Sequence, residues 1–141
     1  MDINALAAKV DALESELAIR QLYANYAHGF DKRDRSVFAR VWAEDAVWIL
    51  APGMEATGPE AIMATADGGW GALEATHHWT TNIVISVNGD SAVGTADVDV
   101  NMKAGGAWTR GAYTYHDEFV RRGGTWAIAR RSADAHFQEP F

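Results

Sequence analysis

Four β-rich segments separated by tight turns fill the second half of the chain, and they limit the folds open to it more than any other feature. They are "HHWTTNIVISV" (77–87), "SAVGTADVDVNM" (91–102), "WTRGAYTYHDEFV" (108–120) and "TWAIARRSADAHF" (125–137). The segments between them, "NGD", "KAGGA" and "RRGG", are short and contain glycine, which is typical of turns that join antiparallel neighbours. The pattern predicts a meander of four long antiparallel strands.

Amphipathic helices are predicted before the strands. Apolar side chains recur at helical spacing through the first thirty residues, as Leu6, Val10, Leu13, Leu17, Ile19, Leu22, Tyr23 and Tyr26. Gly29 predicts the end of this helix, which would place Asp31 just beyond it. A short second helix is expected after an N-cap at Asp34 or Ser36. A third is expected to start at Gly58-Pro59, because proline is tolerated in the first helical turn.

The remaining segments complete the predicted fold. Residues 46–50, "AVWIL", predict one short strand, and the glycine-rich stretch "ADGGWGALEAT" (66–76) predicts a mobile loop that carries Trp70. Helices followed by a meander indicate a single α+β domain over residues 1–141, in which three N-terminal helices pack on a strongly curved, mainly antiparallel sheet. Such a sheet and its helices together can enclose a cone-shaped pocket.

The charge balance argues against a nucleic-acid partner. Nineteen Asp and Glu residues against twelve Lys and Arg give a net charge of −7, whereas binding to phosphates needs a basic surface. An anionic membrane surface is disfavoured for the same reason. The chain has no cysteine, which excludes disulfides and thiolate catalysis. Its first residues lack the basic and apolar regions of a signal peptide, so we expect a cytoplasmic location.

Two short motifs carry most of the functional information. "FDKRD" (30–34) places Asp31 after the first helix, and "HHWTTN" (77–82) opens the long strands with two adjacent histidines. With the order of elements, these motifs resemble the SnoaL-like group of the nuclear-transport-factor-two-like superfamily, in particular the hexachlorocyclohexane dehydrochlorinases, then the bile acid dehydratases and scytalone dehydratases. The superfamily also has members without catalytic activity, so the fold by itself implies no enzyme.

The resemblance implies a His–Asp dyad. In the dehydrochlorinase-like pattern the Asp of an "xDKR" stretch pairs with the His of an "H-aromatic-x-T-N" stretch, and these fall on Asp31 and His78. The bile acid dehydratase-like pattern has a tyrosine five residues before the Asp, which falls on Tyr26; the dehydrochlorinase-like pattern has a lysine there. The resemblance also implies an arginine of the last strand. Arg130 is preferred for it, and Arg131 stays open because the register is undetermined.

These residue types suit the removal of a proton from carbon. Histidine titrates near neutral pH, and a carboxylate on its other ring nitrogen fixes the tautomer and stabilises the imidazolium that forms. Tyr26 and the arginine are expected to stabilise developing negative charge. A β-elimination of this kind requires no cofactor, and we expect none. The scattered His, Asp and Glu residues do not have the spacing of a metal site.

Other arrangements of the same residues stay open. His77 and His78 cannot both face a pocket, because side chains alternate along a strand, and a one-residue shift of register would exchange them. His28 lies three residues before Asp31 and can pair with it on the helix. Tyr26 can be a core residue, and we expect it to converge with Asp31 only if the helix ends between them.

The strands carry further polar residues that offer alternative sites. Asp134 and His136 share one strand face, and His116 lies on the preceding strand. Asp97 and Asp99 also share a face, as is typical of the solvent side of an amphipathic strand. An epoxide-hydrolase-like enzyme would instead use Asp97 or Asp99 in an Asp–Arg–Asp set.

The expected function is that of a cofactor-free lyase, of dehydratase or dehydrohalogenase type, acting on a hydrophobic, cyclic or aromatic small molecule. The alternatives are an isomerase or cyclase, and a non-catalytic ligand-binding or assembly protein of the same fold. The exposed face of a curved sheet usually needs covering, so we expect a homodimer or a homotrimer; the sequence does not choose between them.

Overall fold

The computed structural model describes residues 2–141, which form three helices and six strands. The helices are α1 (Ile3–Asp31), α2 (Arg35–Arg40) and α3 (Gly58–Ala72). The strands are β1 (Trp42–Ala51), β2 (Met54–Thr57), β3 (Ala75–Asn88), β4 (Ser91–Ala104), β5 (Ala107–Arg122) and β6 (Thr125–Pro140). None of the helices within residues 2–141 is long and apolar enough to cross a membrane.

All six strands belong to one curved sheet in the order β2-β1-β6-β5-β4-β3. The four long strands form the predicted antiparallel meander, and β1 joins it parallel to β6. Inward and outward residues alternate strictly along β4, where Ala92, Ala96, Val98 and Val100 are buried. Helices therefore cover one face of the sheet and leave the other face open, which confirms the predicted α+β architecture.

The core lies between this inner face and the helices, and aromatic rings fill its centre. Tyr26 of α1 packs edge-on against Trp42 and Trp48 of β1, with ring centroids 5.9 and 6.1 Å away. Phe38 of α2, which has no exposed surface, contacts the same three rings. Rings of this size bury much apolar area, so this cluster fixes the C-terminal half of α1 against β1.

The predicted end of α1 at Gly29 is wrong, because the helix continues to Asp31. Gly29 serves another purpose: a Cβ atom placed there would lie 2.7 Å from the Phe38 backbone nitrogen. The glycine is needed for the close approach of α2 to α1. The helix ends where Arg33 takes a positive φ of 55° and the Asp34 N–H donates back to the Gly29 carbonyl at 2.9 Å.

The predicted mobile loop at 66–76 is also wrong for most of its length, because α3 extends through it to Ala72. The Trp70 indole N–H donates to the Phe30 carbonyl at 2.8 Å, and the two rings lie 5.5 Å apart. These tertiary contacts outweigh the low helix propensity of the three glycines in this segment. An additional short strand, β2, which was not predicted from the sequence, precedes α3 and pairs with β1.

Candidate active site

Asp31 and His78 meet where the C-terminal end of α1 approaches β3. The Asp31 Oδ1 atom lies 2.6 Å from His78 Nδ1 and accepts a second hydrogen bond from the Thr76 hydroxyl at 2.8 Å. The Asp31 Oδ2 atom accepts the backbone N–H of His78 at 2.7 Å. Both side chains are largely buried, with 14% of Asp31 and 8% of His78 exposed. The carboxylate is therefore surrounded by donors and cannot rotate without losing one of them.

This environment keeps the carboxylate charged. Asp31 is the last residue of α1, and the negative end of the helix dipole disfavours an anion there. Desolvation also acts to raise the pKa of Asp31, but hydrogen bonds and the charge from His78, with a hydrogen bond from Thr76, lower it below its ordinary value. An ionised Asp31 accepts the Nδ1 proton of His78, which leaves Nε2 as the basic nitrogen of the neutral ring.

Strand alternation determines which histidine faces inward. Thr76 and His78 point to the helices, whereas His77 is exposed on the other face and stacks on Trp108 at 5.9 Å. Within residues 2–141, no group forms a hydrogen bond with Nε2 of His78. This nitrogen is therefore free to accept a proton from a bound molecule.

Tyr26 lies beside the dyad although α1 does not end between it and Asp31. Its ring is 5.9 Å from that of His78 and nearly perpendicular to it, and only 5% of the residue is exposed. Burial raises the pKa of Tyr26, and the nearby Arg131 guanidinium partly opposes this. The hydroxyl therefore stays protonated at neutral pH and can act as a hydrogen-bond donor.

The structure does not bring Arg130 to this site, so the preference for Arg130 over Arg131 is wrong on geometry. Arg130 is half exposed on the outer face, where it lies 3.9 Å from Glu118. A β-bulge explains the difference: Glu118 pairs with Arg130 and Phe119 pairs with Ile128, so residue 129 is an extra residue in β6. The extra residue reverses the alternation set by Trp126 and Ile128, and it is Arg131 that points inward.

Arg131 is the largest fully buried side chain among the described residues, at 1% exposure. Its Nε and Nη2 atoms donate to the two oxygens of Asp117, its cross-strand neighbour, at 2.7 and 3.0 Å. The guanidinium carbon lies 3.9 Å from the Tyr115 ring centroid and 4.3 Å from that of Tyr26. Burial by itself lowers the pKa of Arg131, but the Asp117 carboxylate raises it above its ordinary value. The Nη1 atom has no hydrogen-bond partner among the described residues.

A cavity of about 270 Å³ joins these groups. His78, Arg131 and Tyr26 contribute to its wall, and the remainder is mostly apolar or aromatic, with Phe30, Trp48, Val100, Met102 and Tyr115 among its residues. A wider groove of about 1020 Å³ runs between α1 and β3 and also reaches Asp31 and His78. The cavity is the better candidate for chemistry, because it combines apolar walls with a few convergent polar groups.

The other predicted polar residues lie elsewhere. His28 pairs with Lys32 at 2.7 Å and not with Asp31. Asp97 bonds to Asn82 and Thr114 on the outer face.

Four further predicted residues, Asp99, His116, Asp134 and His136, lie on the same outer face. Asp99 lies 3.8 Å from Arg110, and His116 forms an exposed pair with Asp134. The Nε2 atom of His136 lies 2.7 Å from the Thr114 hydroxyl. Within residues 2–141 no three His, Asp or Glu side chains come together as a potential metal site.

Sequence reasoning missed three residues of the site: Thr76, Tyr115 and Asp117. Thr76 could have been found, because it precedes His78 by two positions and so shares its strand face. Asp117 and Tyr115 could not have been found, because their contacts with Arg131 depend on how β5 pairs with β6 beyond the bulge.

Comparison with known proteins agrees with this architecture. The model of the SnoaL-like domain family matches residues 11–132. The chain is 30% identical to γ-hexachlorocyclohexane dehydrochlorinase from Sphingobium indicum over 135 residues. The aligned region covers 93% of this chain and 86% of the relative. A second relative from the same species, hexachlorocyclohexane dehydrochlorinase 1, is 30% identical over 93% of this chain and 88% of its own.

Solved structures show the same likeness. The dehydrochlorinase LinA-type3 from Novosphingobium barchaimii superposes with a TM-score of 0.88 at 27% identity, covering 94% of both chains. A scytalone-dehydratase-like protein from Novosphingobium aromaticivorans superposes with a TM-score of 0.85, covering 92% of this chain and 89% of its own; at 23% identity that likeness concerns the fold. Since the family model matches most of the chain and the relatives match over nearly its full length, this protein belongs to the SnoaL-like domain family of the nuclear-transport-factor-two-like superfamily.

Proposed function

We propose that this protein is a cofactor-free lyase in which His78 removes a proton from a carbon atom of a small hydrophobic molecule. The observation that carries the proposal is the contact between His78 Nδ1 and Asp31 Oδ1 at 2.6 Å, with Nε2 unbonded beside an apolar cavity. Asp31 holds the ring in the tautomer whose Nε2 lone pair is free, and it stabilises the imidazolium formed in the reaction. Proton transfer to a base positioned in this way contributes about 10²–10⁴-fold to a rate.

The elimination balances without another reactant. The C–H bond breaks, its proton goes to Nε2, and its electron pair forms the new carbon–carbon double bond. The bond from the neighbouring carbon to the leaving group breaks, and that group departs with its electrons. A halide leaves as the anion, whereas a hydroxyl group takes up a proton and leaves as water. The imidazolium returns its proton to solvent, or to the departing hydroxyl group.

Tyr26 and Arg131 stabilise the charge that develops on the leaving group or on a substrate oxygen. The protonated Tyr26 hydroxyl is a neutral donor, and Arg131 supplies fixed positive charge with a free Nη1 in a site of low polarity. Donors held in place before the reaction need little reorganisation, which makes them effective at such sites. Arg131 takes this role instead of Arg130, because only Arg131 reaches the cavity wall.

The cavity favours a compact substrate with a large apolar surface. Its volume of about 270 Å³ and its aromatic wall suit a single substituted ring. The curated relatives that match over most of this chain are hexachlorocyclohexane dehydrochlorinases. Tyr26 is a hydroxyl donor that can assist departure of a hydroxyl group, so dehydration of a cyclic alcohol stands beside loss of chloride.

The remaining alternatives differ in identifiable ways. A ligand-binding protein without catalysis has no need of a buried His–carboxylate contact, and this contact argues against it. An epoxide-hydrolase-like reaction with Asp97 or Asp99 is disfavoured, because both residues bond on the outer face, away from Arg131. An isomerase or cyclase would use the same base and would differ only in which bond the electron pair of the broken C–H bond forms.

The experiment that tests the proposal uses the adjacent histidines as a matched pair. The wild-type protein, His78→Ala and His77→Ala are incubated with γ-hexachlorocyclohexane, for release of chloride, and with a cyclic β-hydroxy ketone, for loss of water. Exchange of deuterium from solvent into the corresponding unsubstituted ketone reports proton removal without a leaving group. Turnover or exchange that is lost in His78→Ala and kept in His77→Ala supports the proposal. Equal activity in the two variants contradicts it.

A further inference from the structure

Gly69 of α3 lies in the wall of the cavity of about 270 Å³, where any other residue type would add a side chain. Thr65, Gly69 and Leu73 all line this cavity. They are four residues apart, so they lie one above another on a single face of the helix. Glycine is a poor helix former, so its place within this face needs a reason outside the helix itself.

The tip of the Phe30 ring faces Gly69. A Cβ atom placed on Gly69 would lie 3.0 Å from Phe30 Cζ and 3.6 Å from Phe30 Cε2, and no other atom outside its own stretch of helix would lie within 4 Å. Carbon atoms pack best at about 3.5–4.0 Å, so at 3.0 Å the ring would have to move. Because no further atom is close, the rest of the added carbon's surface would face the cavity.

The Phe30 ring is held by aromatic neighbours on its other sides. Its centroid lies 5.6 Å from that of Phe38, 5.5 Å from that of Trp70 and 5.8 Å from that of His78. The Trp70 indole N–H also donates to the Phe30 carbonyl at 2.8 Å, which fixes the backbone that carries the ring. A ring pushed from position 69 therefore has room to yield only toward the cavity that it lines beside His78.

We propose that Gly69 is a specificity-determining residue, which leaves room in the cavity for the substituents of a ring-shaped substrate. This inference rests on the proposed function, because it concerns the size of the molecule that the same site accepts. A methyl group at position 69 fills this room directly and also displaces the Phe30 ring into it. One carbon more or less in an apolar pocket changes discrimination between ligands by about 10–200-fold. A substituted ring is therefore excluded by that methyl group, whereas an unsubstituted ring still fits.

Three glycines of α3 provide a matched set of variants for the test: Gly69→Ala, Gly68→Ala and Gly71→Ala. A Cβ atom at Gly68 or Gly71 would have no atom within 4 Å, so these two substitutions raise helix propensity without adding a group to the cavity. Binding of cyclohexanone and of 4-tert-butylcyclohexanone is measured by tryptophan fluorescence, since Trp48 lines the cavity. Neither ketone carries a leaving group, so the binding result stands whether or not the protein catalyses elimination.

Gly69→Ala is expected to bind the butyl-substituted ketone at least about 10-fold more weakly than the wild type, and cyclohexanone within about twofold of it. Both control variants should bind the two ketones as the wild type does. Phe30→Leu, which withdraws the ring tip, should change the preference in the opposite direction. Equal weakening of both ketones in Gly69→Ala, the same loss in Gly68→Ala, or a wild type that does not bind the larger ketone overturns the proposal. Circular dichroism checks the fold of each variant; Gly69→Ala and Phe30→Leu test the proposal separately, so either one that folds decides it.

Discussion

Replacing Asp31 with asparagine is predicted to remove most of the activity and leave the fold intact. The reason lies in the hydrogen bonds of the carboxylate, which accepts three of them and donates none. Asparagine has nearly the same shape but replaces one acceptor by an NH₂ donor. Neither orientation of the amide reproduces the native arrangement.

In one orientation the amide oxygen occupies the Oδ1 position and keeps the bonds from Thr76 and from His78 Nδ1. The NH₂ group then faces the backbone N–H of His78, where native Oδ2 accepts at 2.7 Å, and that donor loses its partner at a cost of about 1–3 kcal/mol. In the other orientation the NH₂ group donates to Nδ1. The ring proton must then sit on Nε2, so the ring cannot act as a base. Neither orientation supplies the charge that stabilises an imidazolium.

We therefore expect kcat to fall by about 10²–10⁴-fold in Asp31→Asn, with a loss of about 1–3 kcal/mol in the free energy of unfolding. The assay is kcat on whichever of the two substrates the wild type converts, with urea unfolding measured in parallel. The ¹⁵N shifts of the His78 ring report its tautomer, which a merely structural role for Asp31 would not change. Asp97→Asn, which alters a hydrogen-bonded carboxylate on the outer face, is the control. Wild-type kcat in Asp31→Asn would refute the dyad.

The same variant predicts a change in acid stability. Because the folded-state pKa of Asp31 is lowered, this group contributes stability above its unfolded pKa of about 3.9 and loses the contribution as the pH falls through the folded value. Asp31→Asn should consequently show a weaker decline in unfolding free energy below about pH 4 than the wild type. An unchanged acid slope would contradict the assignment of this shift.

Three further substitutions test separate parts of the structure. Tyr26→Phe keeps the ring packing and removes the donor, so kcat should fall by roughly 10²-fold, more for loss of water than for loss of chloride; equal rates to wild type on both substrates would exclude the hydroxyl from the reaction. Arg131→Met leaves the buried Asp117 carboxylate unpaired and should lower the free energy of unfolding in urea by about 3–5 kcal/mol. Arg130→Met, on the surface, should lower it by less than about 1 kcal/mol. Similar losses for the two variants would be inconsistent with the bulge at residue 129. Gly29→Ala should lower stability by about 1–3 kcal/mol, because overlap of its Cβ with the Phe38 backbone outweighs the gain in helix propensity of about 1 kcal/mol; a raised melting temperature would show that α2 can move away.

Local patterns of the sequence predict much of this fold. The alternation of β4, the turns at 88–90 and 103–107, and the helical spacing of the first thirty residues each follow from the geometry of a single element. These patterns also predict that Asp31 follows directly after the first helix, and that His77 and His78 point to opposite faces of a strand. The motifs that resemble SnoaL-like proteins then suggest that these two elements meet. The net charge and the absence of cysteine narrow the function classes in the same direct way.

The tertiary structure decided what depends on contacts between distant segments. Arg131 faces the cavity and Arg130 does not, because one extra residue in β6 reverses the alternation, and only the pairing with β5 shows where that residue lies. Gly29 lies within α1, and a glycine is required there because the α2 backbone approaches too closely for a side chain. The glycine-rich segment is helical because Trp70 is held against Phe30. Periodicity describes the faces of an element; the register between elements, and hence the arginine and the apolar wall beside His78, is set by long-range packing.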